Sequence, residues 1–93
     1  MSLTLQNPLK DPSAVLDYVF DWTEWLATGE TIESYVITVD AGLTLNSDSE
    51  SNGAVVAWIS GGEAGKWYKV ACKITTNMGR IDERTLHIRV ENR

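Results

Sequence analysis

One stretch of the sequence has residue types and spacing that could hold a metal ion. Asp48-Ser49-Glu50-Ser51-Asn52-Gly53 places oxygen-bearing side chains at alternate positions and a glycine at the sixth, as in the first half of a calcium-binding loop. The twelfth position of such a loop should be a glutamate that binds through both oxygens, but here it is Ile59. We therefore interpret residues 46–53 as a solvated loop between two strands, and we expect no metal site.

Residues that could perform catalysis are scarce. The chain has a single cysteine, Cys72, and a single histidine, His87. One thiol cannot form an internal disulfide or a zinc site, and Cys72 alternates with Val70 and Ile74, which predicts a buried apolar position. His87 is expected on an outward strand face. Because the sequence also lacks a Ser-His-Asp arrangement and a phosphate-binding glycine loop, we expect no catalytic residues, no cofactor and no enzyme activity.

The length and charge of the chain exclude further classes of protein. With 93 residues it has room for one domain, and no apolar run approaches the roughly 20 residues that span a bilayer. The net charge of -5 argues against a nucleic-acid partner. Residues 1–15 lack an apolar block behind a basic start, so we expect synthesis in the cytoplasm without a secretory signal.

The charges are unevenly distributed along the chain. Residues 1–63 contain ten acidic side chains and one basic one, whereas residues 64–93 contain three acidic and seven basic ones. Opposite charges often face each other across neighbouring strands, so basic strands could lie beside acidic ones within one monomer. Alternatively, the acidic side of one copy could meet the basic side of another. The sequence leaves both interpretations open.

Apolar side chains recur at every second position in several short segments, which predicts β-strands. In the first, Leu16, Tyr18, Phe20 and Trp22 share one face. Further strands are predicted at Thr31–Val39, Leu43–Leu45, Ala54–Ile59, Trp67–Thr76 and Arg84–Val90. Their spacing predicts an all-β fold, an immunoglobulin-like antiparallel β-sandwich of about seven short strands. Residues 1–14 are predicted to form an extended lead-in, and residues 15–93 a single domain.

Two local patterns refine this fold. Tyr68 stands at the start of the penultimate strand, where sandwich domains often have a tyrosine corner. The last two strands alternate in phase, and we predict that they form a hairpin centred on Arg80. The predicted register pairs Val70 with Val90, Cys72 with Ile88 and Ile74 with Leu86.

The four tryptophans are expected in different surroundings. Trp22 and Trp25 are predicted to lie in the core, and of Trp58 and its neighbour Ile59 only one can face inward. Trp67 is out of phase with the core positions of its strand, so it should be exposed. Exposed aromatic side chains mark protein interfaces, but they could also stack on sugars.

Outward positions of the last hairpin form a candidate interaction face. Its residues are Trp67, Lys69, Lys73, His87 and Arg89, and Arg80 and Arg84 are expected to extend the positive surface. A basic face on an acidic protein could guide an acidic partner, which would be the surface of another protein or of a neighbouring copy. It could also be a solvated face that keeps a sheet edge from aggregating.

A set of short motifs connects the chain to a known family. These motifs are Lys10-Asp11-Pro12, Ala14-Val15-Leu16-Asp17-Tyr18, Asp21-Trp22 with Trp25-Leu26, Glu30-Thr31-Ile32, Ala41-Gly42-Leu43-Thr44, Trp58-Ile59-Ser60-Gly61-Gly62 with Gly65 and Tyr68, and Ile74-Thr75-Thr76 with Gly79-Arg80, Asp82 and Arg84-Thr85. From about residue 10 to residue 90, the chain resembles small tailed-bacteriophage and prophage virion proteins described as fiber–tail adaptors. In that family a tryptophan often stands where this chain has Ile37.

The resemblance implies a place in the virion rather than a reaction. It suggests a non-catalytic phage or prophage structural protein that joins tail or neck components to fibers. The expected partners are other virion proteins, with self-association as a further option, and neither nucleic acid nor membrane. The protein would be made in the host cytoplasm and then built into the particle. A capsid decoration protein of similar fold and a carbohydrate-binding module stay as alternatives.

Overall fold

The alternating pattern of the sequence forms two sheets that pack face to face. The computed structural model describes residues 9–92, in which the strands are β1 (Leu9–Lys10), β2 (Leu16–Asp21), β3 (Ile32–Val39), β4 (Leu43–Ser51), β5 (Ala54–Gly61), β6 (Lys66–Thr76) and β7 (Ile81–Val90). One sheet has the order β1-β7-β6-β3 and the other β2-β5-β4. Six strands pair antiparallel, and the two-residue β1 runs parallel to β7. The predicted all-β sandwich is confirmed, with six antiparallel strands rather than about seven.

The core lies between the two sheets and consists of side chains at every second strand position. Each fully buried aliphatic or aromatic side chain contributes about 1.5–3 kcal/mol relative to an exposed one. Members of this core with no exposed surface are Phe20, Trp22, Val55, Ala57, Ile59, Val70, Cys72, Ile74, Ile88 and Val90. The predicted inward phases of the first strand and of the last two strands are therefore confirmed. Residues 9–92 contain no helix long and apolar enough to cross a membrane.

The tryptophans divide as their strand phases predict. Trp22 is fully buried and Trp25 packs partly buried against the core. Ile59 faces inward, so its neighbour Trp58 points outward and is 42% exposed. Trp67 is 51% exposed. Two of the four indole rings are thus available on the surface.

The prediction of a loop over residues 46–53 is wrong. These residues continue β4 as far as Ser51, and β4 turns directly into β5 through Asn52-Gly53, whose φ angles are 52° and 90°. Two consecutive positive φ values define the type I′ turn that joins antiparallel strands most closely, and Asn-Gly is its preferred sequence. The polar composition of β4 fits its position at the edge of the three-stranded sheet.

The strand geometry of β4 also determines whether its oxygen atoms could bind a calcium ion. Asp48 and Glu50 lie on one face and Ser49 and Ser51 on the other, so their oxygens do not converge on a single point. The Asp48 carboxylate instead accepts a hydrogen bond from the Tyr35 hydroxyl, which raises the pKa of Tyr35 to about 12. Within residues 9–92 no three metal-ligating side chains come together. The absence of calcium affinity stays a prediction.

The predicted register of the last hairpin is wrong by four residues. Val70 pairs with Leu86, Cys72 with Arg84 and Ile74 with Asp82, and β7 begins at Ile81 rather than at Arg84. The turn is a three-residue loop over residues 77–79, closed by a 2.8 Å hydrogen bond from the Thr76 amide to the Arg80 carbonyl. Gly79 supplies the positive φ, 84°, that such a loop requires. Because four is an even number, the error left the apolar side chains of both strands on their correct face.

The predicted tyrosine corner is present. The Tyr68 hydroxyl accepts a 2.9 Å hydrogen bond from the backbone amide of Glu63, five residues upstream. The ring itself is buried between the sheets. This contact fixes the chain where it crosses from β5 in one sheet to β6 in the other.

Lys10 ties the short parallel strand to the opposite sheet. Its side chain is fully buried, and its ammonium donates to the carbonyl oxygens of Gly61 at 2.6 Å and Asp11 at 2.9 Å. Burial lowers the pKa of Lys10. Residues 1–8 of the predicted lead-in lie outside the described residues, and the division into a lead-in and a domain stays a prediction.

The buried thiol generates a prediction about reactivity. Cys72 has no exposed surface, and burial raises its pKa to about 11. Because thiol reagents react with the thiolate, we expect labelling of the folded protein at pH 8 to be far slower than labelling of the protein unfolded in urea. Stopped-flow or mass-spectrometric labelling measures both rates. Equal rates in the two states would show that Cys72 is accessible in the fold.

Candidate interaction faces

The outer side of the four-stranded sheet carries most of the residues that the sequence singled out. Register places Trp67 opposite Arg89, Lys69 opposite His87, and Lys73 opposite Glu83. These positions alternate with the buried ones, so their side chains point away from the core. We call the surface formed by Trp67, Lys69, Lys73, His87 and Arg89 the basic face. The register places these five side chains on one side of the sheet, and their role as an interaction face stays a prediction.

The cations of the basic face differ in how they are held. The Arg89 guanidinium lies 5.6 Å from the centre of the Trp67 ring and donates to the Glu91 carboxylate at 2.9 Å. Lys69 and Lys73 are exposed and form no ion pair with any residue from 9 to 92. The two lysines therefore keep their charge available to a partner.

Arg80 does not extend this surface, contrary to the expectation from the sequence. It follows the β6–β7 turn and makes a two-pronged ion pair with Glu30, at 2.9 Å from Nε and 2.5 Å from Nη2. The guanidinium also stacks 3.9 Å from the centre of the Trp25 ring. The hydrogen bonds from Arg80 hold the pKa of Glu30 down at about 2, assisted by the amide of Ala27.

Arg84 is likewise absent from the basic face. It has the same strand phase as Leu86, so it points to the inner side of its sheet, and Nη1 donates to the Asp21 carbonyl at 2.8 Å. Its guanidinium lies 4.2 Å from the centre of the Trp22 ring. Trp22, Trp25, Glu30, Arg80 and Arg84 form one unit at this end of the sandwich, which we call the arginine–tryptophan cluster. Both guanidinium groups make contacts within the fold, and 45% of the Arg80 side chain stays exposed.

The outer side of the three-stranded sheet presents a second face that the sequence analysis missed. Val15 is 50% exposed, Val19 39% and Trp58 42%. Register places Val19 opposite Val56 and Asp17 opposite Trp58. We call the surface formed by these five residues the apolar face. Asp17 is its one charged member, and it forms no ion pair with any residue from 9 to 92.

A signal for the apolar face exists in the sequence. β5 is apolar on both of its sides, since Val56 and Trp58 alternate with Val55, Ala57 and Ile59. A strand at the centre of a sheet with one solvated face should instead have polar residues at alternate positions. Apolar side chains at both phases therefore predict an apolar patch on the outer side of this sheet, of the kind that marks interaction sites.

Comparison with known proteins supplies one match. A family model described as Gp77, podophage GP4 fiber-tail adaptor protein gp77, matches residues 10–89. The matched region extends from the buried Lys10 to Arg89 on the basic face and so contains both sheets. No curated protein matches the sequence.

The arginine–tryptophan cluster leads to a prediction about pH. Because the pKa of Glu30 is lowered to about 2 in the fold, its stabilising contribution is present above its ordinary pKa of 4.5 and is lost as the pH falls toward 2. We expect Glu30→Gln to lower the melting temperature at pH 7, and we expect this difference to shrink progressively between pH 5 and pH 2. Thermal unfolding followed by circular dichroism measures the effect.

Glu24→Gln is the matched control, because Glu24 is an exposed residue of the same connection. It should leave the melting temperature nearly unchanged across this range. A Glu30→Gln deficit that is independent of pH would contradict a role for the ionised carboxylate.

Proposed function

The chain belongs to the family of podophage fiber-tail adaptor proteins, and we propose that it performs this adaptor role by docking its basic face against an acidic surface of a neighbouring virion protein. The family model covers residues 10–89 of the 93, nearly the whole chain. The protein is thus a structural component of a phage particle. It holds parts of the particle together by binding to them.

The observation that carries the docking proposal is the pair of free lysines on a flat strand surface. Lys69 and Lys73 are exposed on β6, the strand between β7 and β3, and their ammonium groups form no ion pair within residues 9–92. Together with Arg89 these cations outnumber the Glu83 carboxylate opposite Lys73, and so they create a local positive field on a protein of net charge -5. Such a field orients an acidic partner during encounter and excludes basic surfaces.

Trp67 gives the same face an apolar contact. Its ring is half exposed, and the Arg89 guanidinium beside it restricts its movement. An aromatic ring that is already positioned loses little conformational entropy on binding, so it is suited to serve as an anchor. The basic face therefore combines an aromatic anchor with charges that guide the partner.

The adaptor role favours a protein partner over a sugar for the exposed rings. Trp58 has Asp17 and Ser47 opposite it on the two neighbouring strands, and Val56 two positions away on its own strand. A protein partner is therefore favoured by the family and not by the surroundings of the ring. We accordingly propose tail, neck or fiber proteins as partners. Synthesis in the host cytoplasm before incorporation into the particle is consistent with this role.

Reversing the charge of the two free lysines tests the proposal. We expect Lys69→Glu/Lys73→Glu to weaken attachment to particles that lack the adaptor by about tenfold, because each exposed charge pair contributes up to about 1 kcal/mol. Wild-type attachment should itself weaken as salt is raised. Co-sedimentation with purified particles, followed by quantification of the bound adaptor, gives the measurement.

The control reverses the charge of one lysine outside the basic face, which is half of the charge change in the double variant. Lys66→Glu alters an exposed lysine that pairs with Glu63 at the start of β6, and it should attach as well as wild type. Melting temperatures establish that all variants are folded. If the folded Lys69→Glu/Lys73→Glu protein attaches as well as wild type, the basic face is not the docking surface.

A further inference from the structure

We infer that a groove at one end of the sandwich is a second binding site, and that it takes a lysine or arginine side chain from an extended segment of another virion protein. This site is separate from the basic face and takes a partner of opposite charge. The shape of the groove, its fixed walls and its unbalanced negative charge carry the inference.

The groove lies on the side of the sandwich where β3 and β4 are the edge strands of their sheets. Leu26 and Ile32 line it from the β2–β3 connection and the start of β3, and Glu50 and Asn52 line it from the β4–β5 hairpin. Its volume is about 420 Å³, within the range of roughly 300–1,000 Å³ that is usual for ligand sites. The groove therefore has room for a long side chain of a partner.

Both walls of the groove are fixed by contacts within the fold. The Trp22 amide donates to the Gly53 carbonyl at 2.9 Å, and the Gly53 amide donates to the Glu50 carboxylate at 3.0 Å. A Cβ atom at Gly53 would lie 3.0 Å from Cδ1 of Leu26, so the glycine lets the hairpin turn pack directly against the β2–β3 connection. The arginine–tryptophan cluster holds Glu30 in the opposite wall. A groove that is already formed loses little conformational entropy when it binds.

The charge of the groove is negative and unbalanced. The charged side chains that line it are the carboxylates of Glu30 and Glu50. Arg80 balances the charge of Glu30, whereas Glu50 is partly buried and forms no ion pair with any residue from 9 to 92. Asp48, two positions away on the same face of β4, also forms no ion pair within this range. Because water and salt screen a partly buried charge less than an exposed one, Glu50 attracts a cation in the groove.

The composition of the groove defines the chemistry of its occupant. A carboxylate beside Leu26 and Ile32 matches a cationic group on an aliphatic stem, since the stem packs on the apolar side chains while the charged end reaches Glu50. A metal ion is a poorer match, because no three metal-ligating side chains come together within residues 9–92. Residues 1–8 contain no lysine or arginine, so this part of the chain does not supply the cation.

The groove gives the protein a second partner whose charge is opposite to that of the first. The basic face selects an acidic surface, and the groove selects a basic segment. A protein that joins two components gains from this difference, because neither partner can take the site of the other.

Nuclear magnetic resonance titration of the isotope-labelled, full-length protein with the peptide acetyl-Val-Arg-Val-amide tests this inference. We expect saturable shifts at the groove amides, among them Ile32 and Gly53. Acetyl-Val-citrulline-Val-amide, which has the same shape without the charge, should bind about fivefold more weakly.

Two substitutions in the groove change its charge with little change in shape. Glu50→Gln keeps an oxygen that accepts the bond from the Gly53 amide, and it should weaken binding of the arginine peptide about fivefold. Asn52→Asp adds a carboxylate at the rim, and aspartate also tolerates the positive φ of this position, so this variant should bind the arginine peptide more tightly.

Matched controls separate the groove from the rest of the surface. Glu63→Gln removes a carboxylate at the other end of the sandwich and should bind the arginine peptide as wild type does. Lys69→Glu/Lys73→Glu should also keep peptide binding, so the groove and the basic face are tested independently. Melting temperatures establish that all variants are folded.

Three results would overturn the inference: no saturable shift at the groove amides, equal affinity for the arginine and citrulline peptides, or unchanged affinity in folded Glu50→Gln. Groove shifts that appear when wild type alone is concentrated, and that Glu50→Gln abolishes, would identify a second copy of the chain as the occupant and refute the assigned partner. If Lys69→Glu/Lys73→Glu attaches normally to particles while the arginine peptide still binds through Glu50, the docking role of the basic face fails and the groove site stands.

Discussion

The buried carboxylate of Glu30 is the constraint on which one end of the fold depends. It has no solvent-exposed surface, so its charge must be balanced within the protein, and the two hydrogen bonds from Arg80 provide this balance. Glu30 belongs to the connection between β2 and β3, and Arg80 follows the β6–β7 turn. The ion pair therefore fastens a crossing between the sheets to the tip of the last hairpin. Trp22 and Trp25, in edge-to-face contact at 5.5 Å, fill the space beneath the two arginines.

The difference between local patterns and contacts between distant residues explains what the sequence could and could not predict. Strand phase is a local property, and it placed Phe20, Cys72 and Trp67 correctly. The contacts that a side chain makes are not a local property. The sequence pattern around Arg80 and Arg84 is the same whether a guanidinium group points to solvent or contacts a tryptophan and a carboxylate from another part of the chain. Both arginines were accordingly predicted on the surface. The hairpin register failed for a related reason, since period two cannot distinguish shifts by an even number of residues.

The polar strand β4 shows a different limit. Its serines and acids have low strand propensity, so composition favoured a loop. What makes it a strand is pairing with β5 on one side, the tight Asn52-Gly53 turn, and the hydrogen bond from Tyr35 across the gap between the sheets. The polar side chains of this edge strand also affect aggregation. Edges that display charged or hydroxyl-bearing side chains resist strand-to-strand aggregation, and the open side of β7 next to Asp82 and Arg84 has the same character.

The parallel pairing of β1 with β7 has a mechanical consequence. The chain enters the sandwich at the start of β1 and leaves it at the end of β7, and the two strands run in the same direction side by side. A force that pulls these two points apart acts along both strands and loads their contacts in shear. The hydrogen bond from the Glu91 amide to the Lys10 carbonyl and the bond from the Lys10 ammonium to the Gly61 carbonyl must then break together rather than one after another. For a connector between a tail and its fibers, this arrangement resists tension along the chain at the point where the load enters the domain.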